Sequence, residues 1–253
     1  MEFEEVRRYQ PGDDIRTIDW RVSARTGKTH TKLFCEERER PVHILVDQRS
    51  SMFFGSTRAF KSVIAAEVAT IFAWAALAGS DRIGGQIIAD NQECDIRARR
   101  NKQAVLKFIH DLHNLNCALP GDVPATRTLT QMLEECRRLT RPGTAIFVIS
   151  DFHDIDQETE RALMTLGRNT DITLVQVYDP VERQLPNISE LAISDGKQRA
   201  SINMNQDIIE SYQQQIERKS SLLKRAAVGA RAAFMEISTA DRPLSFLQSR
   251  YGK

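Results

Sequence analysis

With 253 residues, 41% hydrophobic and 27% charged, the chain has the make-up of an ordinary soluble globular protein and enough length for a substantial core. Its formal net charge of +1 gives no general electrostatic reason to expect nucleic acid or an anionic membrane as partner. The amino terminus, MEFEEVRRYQ, is charged throughout and unlike a signal peptide. Cys35, Cys94, Cys117 and Cys136 are scattered without a CxxC or a zinc-like spacing, which favours buried free thiols in a reducing compartment over disulfides.

Residues 1–41 carry nine acidic and nine basic side chains among Ile, Trp, Tyr and Phe. They read as an irregular, partly β segment lying on a main domain that occupies 42–253. Within the segment, YQPGDDIRTIDWR (9–21) is either a recognition surface or a Pro-Gly turn tied down by internal ion pairs, with Trp20 expected to be buried. From residue 42 the pattern alternates. VHILVD is a short apolar run suited to a buried strand. A helix follows over 58–79, ending at Gly79. Its apolar part, 63–78, is sixteen residues long and contains Glu67, short of the roughly 20 residues a membrane span needs, so it reads as a core helix. Strands are expected at 81–89 and 93–99 as a hairpin around Asp90-Asn91, then helices at 102–114 and 127–140. TAIFVIS (144–150) is the clearest strand, followed by a helix at 156–167 and a strand at 171–179. A second hairpin, a long helix at 206–228, a strand at 232–238 and a short helix after Pro243 complete the chain. Strands alternating with helices predict an α/β fold, a doubly wound and mostly parallel sheet covered on both faces.

In such sheets ligands bind beyond the carboxyl ends of the strands, which singles out Asp47 and Asp151. Two acids with a hydroxyl nearby, Ser51, form an oxygen-rich cluster suited to Mg²⁺; the alternative is that the acids cap helices or loops. No phosphate-binding glycine loop and no Gly-x-Ser-x-Gly elbow is present. His110 and His113, three apart on a helix, read as a surface pair.

VDQRSSM after the first strand, ATRTLT before a middle helix and VISDF at a later strand end resemble a von Willebrand factor A-type domain. The Glu-Phe start, Tyr-Gln-Pro-Gly-Asp-Asp, Ile-Asp-Trp and Ser-Ala-Arg-Thr-Gly in the block 2–27 resemble the family called domain of unknown function 58. The resemblance implies a metal-ion-dependent adhesion site of Asp47, Ser51, Thr126 (with Thr128 as the other threonine candidate) and Asp151, in which a coordination position stays open for an acidic side chain of a partner. This chain departs from that pattern at Arg49, which stands where a second serine belongs. A guanidinium there either bridges Asp47 and Asp151 as a built-in substitute for the ion, leaving an acidic partner group to approach Arg49 directly, or swings outward beside a weakened Mg²⁺ site.

The resemblance further implies a cytoplasmic bacterial protein-interaction module, an adaptor or assembly factor associated with MoxR-type AAA+ ATPases and without chemistry of its own. Its partner-binding residues would be Asp47, Arg49, Ser51, Thr126 and Asp151, with no cofactor or a weakly held Mg²⁺. A reading from another class is a Mg²⁺- or Mn²⁺-dependent hydrolase using Asp47, Asp151 and His153; a third is a domain whose strand-end face is purely structural.

Overall fold

The computed structural model describes residues 2–35, 39–118, 127–185, 190–194, 199–203 and 206–251. It forms two compact units, Met1–Glu39 and Arg40–Lys253. In the first unit β1 (Glu2–Arg8) pairs antiparallel with β2 (His30–Cys35), and α1 (Trp20–Thr26) lies between them in sequence. Asp19 caps α1 by accepting from Arg21 N and Val22 N, and Gly27 ends it in a left-handed conformation at φ 68°. Ion pairs Arg7–Asp13 and Lys32–Asp19 tie the turn down. Trp20, expected inside, is 70% exposed. A unit of this size has too little apolar surface of its own to enclose an indole.

The second unit contains β3 (Pro41–Asp47), α2 (Lys61–Ala78), β4 (Arg82–Ile88), β5 (Glu93–Arg99), α3 (Lys102–Cys117), α4 (Leu129–Leu139), β6 (Ala145–Ser150) and α5 (Gln157–Leu166). These are followed by β7 (Asp171–Tyr178), α6 (Pro180–Arg183), β8 (Glu190–Ser194), β9 (Arg199–Asn203), α7 (Gln206–Gly229), β10 (Ala233–Ser238) and α8 (Pro243–Tyr251). Six strands make one sheet in the order β10-β7-β6-β3-β4-β5, parallel except that β5 runs antiparallel to β4. β4 and β5 form the hairpin expected around Asp90-Asn91, and β8 and β9 pair antiparallel as the second.

β3 lies at the centre and is buried on both sides, which is why VHILV is nearly continuous in apolar residues. Val42, Ile44 and Val46 pack with α2, α3 and α8, whereas Leu45 faces the cluster built from α4, α5 and α7. Gly85 lets β4 and β3 approach closely, since a Cβ there would stand 2.4 Å from Ile44 O. α2 is apolar and long enough to cross a membrane by length and composition, yet half of that stretch is buried and Ile64, Val68 and Phe72 lie in the core. Glu67 pairs at the helix surface with Arg58 at 2.8 Å. Of the cysteines, Cys94, Cys117 and Cys136 are free thiols; Cys136 is buried, but Cys117, expected inside, is exposed near the end of α3.

Candidate functional site

Because β3 and β6 are parallel neighbours, their carboxyl ends bring Asp47, Ser150 and the loops that follow to one place. Asp47 closes β3 and is fully buried. The chain then turns through Arg49, whose backbone N–H donates to Asp47 Oδ1 at 3.0 Å, into the short 3-10 turn Ser50–Met52. Arg49 points inward and is 2% exposed. Its Nε donates to Asp47 Oδ1 at 3.0 Å and its Nη2 to Asp47 Oδ2 at 2.8 Å. The other edge of the guanidinium donates to Asp154, Nη1 to Oδ2 at 2.7 Å and Nη2 to Oδ1 at 3.0 Å, and Nη1 also reaches Arg127 O at 3.1 Å. All five guanidinium N–H groups are thereby used.

The built-in cation of the sequence argument is present, but its second carboxylate is Asp154, where Asp151 was expected. The reason is the loop after β6. Phe152 adopts φ 54°, a left-handed conformation that bulky residues rarely take, and its N–H donates to Ser150 Oγ at 3.0 Å. This turn sends Asp154 back toward Arg49 and Asp151 to the other side. Ser150 Oγ in turn donates to Asp47 Oδ2 at 2.7 Å, and Leu129 N, at the start of α4, to Asp154 Oδ2 at 3.0 Å.

Asp151 meets a second internal cation that sequence reasoning missed. Lys61, the first residue of α2, is as buried as Arg49, and its Nζ donates to Asp151 Oδ2 at 2.8 Å and to Glu182 Oε1. A charged residue opening an otherwise apolar helix was the available signal. His153, half exposed, places Nδ1 3.5 Å from Asp151 Oδ1 and 3.6 Å from Asp154 Oδ1. A third buried acid, Asp179 at the end of β7, is held by neutral donors: Ser56 N and Oγ, Thr239 Oγ and Val181 N.

Burial alone would favour the neutral form of each group, but the pairing prevails. Desolvation opposes the charge on Arg49, yet hydrogen bonds from its guanidinium to Asp154 and Asp47 raise its pKa overall. Burial likewise works against Lys61, and the charges of Asp151 and Glu182 outweigh it and raise the pKa. Burial pushes Asp151 up, while His153 and Lys61 bring it well below the usual carboxylate range. Asp154 is lowered in the same way by Arg49. Asp151 and Asp154 therefore remain charged beside the two fixed cations near neutral pH.

These residues do not fit a divalent ion. Asp47 already accepts from Arg49 N, Nε and Nη2 and from Ser150 Oγ, so its lone pairs are taken. Asp151 accepts from Lys61 and from His153 N. An ion 4 Å from either cation would meet repulsion of about 4 kcal/mol per unit charge at an effective dielectric of 20. Among the described residues no cluster of three or more His, Cys, Asp or Glu side chains is arranged to hold a metal. Ser51 Oγ is buried without a hydrogen-bond partner among the described residues. Thr126 lies outside the described residues. Thr128 Oγ accepts from Gln131 N at 3.3 Å as the cap of α4, so it serves the helix. Thr128→Ala should cost about 1 kcal/mol, read as a lower urea midpoint with an unchanged slope. The acidic partner group expected to approach Arg49 finds no free donor there.

The family model described as "Protein of unknown function DUF58" matches residues 5–222. The uncharacterized protein Rv1480 of Mycobacterium tuberculosis is 27% identical over 196 residues, covering 76% of this chain and 60% of that protein. The chain thus spans about 60% of the length of the mycobacterial relatives it matches. The uncharacterized protein YeaD of Bacillus subtilis is 43% identical over 49 residues, 19% of this chain and 12% of that protein. Among solved structures, the conserved hypothetical protein BatB from Bacteroides thetaiotaomicron superposes with a TM-score of 0.54 at 12% identity, covering 83% of this chain and 96% of that one. The von Willebrand factor type A protein from Catenulispora acidiphila gives 0.50 at 14% identity, covering 87% and 42%. The fold is von Willebrand factor A-like, as the order of strands and helices implies.

Proposed function

The chain belongs to the DUF58 family, and on that premise we propose that it is a non-enzymatic protein-interaction module whose contact surface is the strand-end face of the sheet and which works without a divalent ion. The observation that carries this reading is the pair of internal cations. Arg49, with every hydrogen bond made, and Lys61, held by Asp151 and Glu182, stand where the adhesion site implied by the resemblance would share an ion with a partner. The same commitment of Asp47 and Asp151 removes the ligands that a metal-dependent hydrolase would need. Contact surface is available beside the network. Phe54 and Phe60, on the loop between β3 and α2, are 41% and 47% exposed. Aromatic side chains of this kind are common anchors of protein interfaces.

The partner we assign is a MoxR-type AAA+ ATPase, with the chain as a cytoplasmic adaptor or assembly factor for it; the family resemblance of the block 2–27 is what supports this partner. The test is capture of the purified ATPase by the immobilised chain in nucleotide-free buffer, with and without EDTA. We expect capture that EDTA leaves unchanged and that Phe54→Asp with Phe60→Asp abolishes. Capture lost on chelation would overturn the metal-free reading. Capture indifferent to the phenylalanine changes would overturn the surface, and no capture at all would overturn the partner.

A further inference from the structure

We infer that Lys61 is the open end of the buried ionic network, and that the groove beside it receives an uncharged hydrogen-bond acceptor, the backbone carbonyl of an extended peptide. The two cations differ in one respect. Arg49 has no donor left, whereas an ammonium carries three N–H groups and Lys61 has two partners, Asp151 and Glu182, among the described residues. Lys61 also forms part of the lining of a cavity of about 690 Å³ between α7 and the carboxyl ends of β6 and β7. That volume lies within the range of about 300–1,000 Å³ typical of ligand pockets. Tyr178, Tyr212, Ile216 and Leu223 supply aromatic and apolar wall. Tyr212 Oη donates to Glu182 O at 2.8 Å, so its lone pairs face no other protein donor among the described residues.

Charge selects the kind of acceptor. Lys61 with Asp151 and Glu182 sums to −1, so a carboxylate reaching the ammonium would arrive beside two others. Farther out, Arg183, Lys219 and Lys224 stand against Glu217 and Glu236, which brings the lining to zero once His153 is deprotonated; its hydrogen bond to Asp151 raises the pKa at which that happens. In that alkaline form neither sign is favoured over the groove as a whole, and the local excess of acid disfavours an anion. A neutral carbonyl takes the remaining N–H without that repulsion. A metal site would recruit a carboxylate; this one selects against it.

The inference names the group recognised by the interaction module and rests on that reading only for the natural occupant. The groove itself is tested without a partner, by NMR titration of protein carrying isotope-labelled lysine and tyrosine at pH 8.5, with N-methylacetamide and then sodium acetate at matched ionic strength. Saturable shifts of the Lys61 and Tyr212 signals with N-methylacetamide are expected, with an affinity roughly tenfold or more above that of acetate. Ser220→Trp, which fills the groove from the half-buried wall on α7 and leaves both ion pairs of Lys61 in place, should remove the response. Acetate binding as tightly as the amide, or no saturable shift with N-methylacetamide, would overturn the inference. Amide binding without ATPase capture would leave the groove standing and sink only the choice of partner.

Discussion

Replacing Arg49 by Ala should destabilise the protein by about 3–5 kcal/mol, the penalty for stranding a buried charge, with a fall in Tm of roughly 6–20 °C for a domain this size. The side chain is buried, and its removal leaves Asp47 without two donated hydrogen bonds and Asp154 without two. Asp47 keeps the backbone donor of residue 49 and Ser150 Oγ, and Asp154 keeps Leu129 N. The loss is also spread over three chain segments, since Arg49 ties the end of β3 to the loop after β6 and to Arg127 O at the start of α4. Arg49→Lys keeps the charge but cannot make a fork to two carboxylates, and should recover less than half of the deficit. A double-mutant cycle of Arg49→Ala with Asp154→Ala isolates the pair, and a coupling energy near zero would show that the geometry contributes nothing. Arg49→Ser tests the ion itself. Wild-type Tm should be indifferent to Mg²⁺ or Mn²⁺, and a rise in wild-type Tm with either metal would contradict the misfit described above.

Lys61→Met should be comparably damaging at neutral pH, by about 3–5 kcal/mol, because Asp151 and Glu182 lose the cation between them. Its pH dependence distinguishes this mechanism from simple loss of packing. The Asp151 pKa is depressed in the folded state, so its contribution is present above the unfolded carboxylate value near 4 and is lost as pH falls through the folded value. The Lys61 pKa is raised, so its contribution is complete below the unfolded value near 10.4 and fades as pH rises through the folded one. The gap between wild type and variant should therefore be widest between about pH 5 and pH 10 and close toward pH 3. In the variant, buried Asp151 has lost its ammonium partner and takes up a proton more readily, so moderate acid should stabilise Lys61→Met relative to wild type. Urea unfolding across that range checks both limbs, and a gap independent of pH would place the effect in packing.

The two variants bear on function in different ways. Arg49 is sealed, so its loss reaches partner capture through the shape of the strand-end loops. Lys61 borders the groove, so its loss should alter recognition even where the protein stays folded. Comparing capture by the two at a temperature well below both unfolding transitions separates rigidity from contact.

Much of this architecture was legible in the residues. Strand and helix periodicity is a local property, and the expected elements from VHILVD to the helix after Pro243 formed within a few residues of their anticipated limits. The positions of Asp47 and Asp151 at strand ends followed from the same patterning, and Arg49 announced itself by interrupting a hydroxyl-rich loop. Trp20 went the other way because burial depends on what lies opposite a side chain, which no local pattern records.

Tertiary structure alone decided which acid meets which cation. Arg49 and Asp154 are 105 positions apart, and Lys61 stands 90 from Asp151 and 121 from Glu182. Their meeting requires β3 and β6 to be neighbours in the sheet and Phe152 to turn through positive φ, so that successive residues of one loop face opposite ways. A carboxylate at a strand end can be read from sequence because that place is set by its immediate neighbours. Its ionic partner cannot, because electrostatic pairing acts through distances of a few ångströms that exist only once the strands have taken their order.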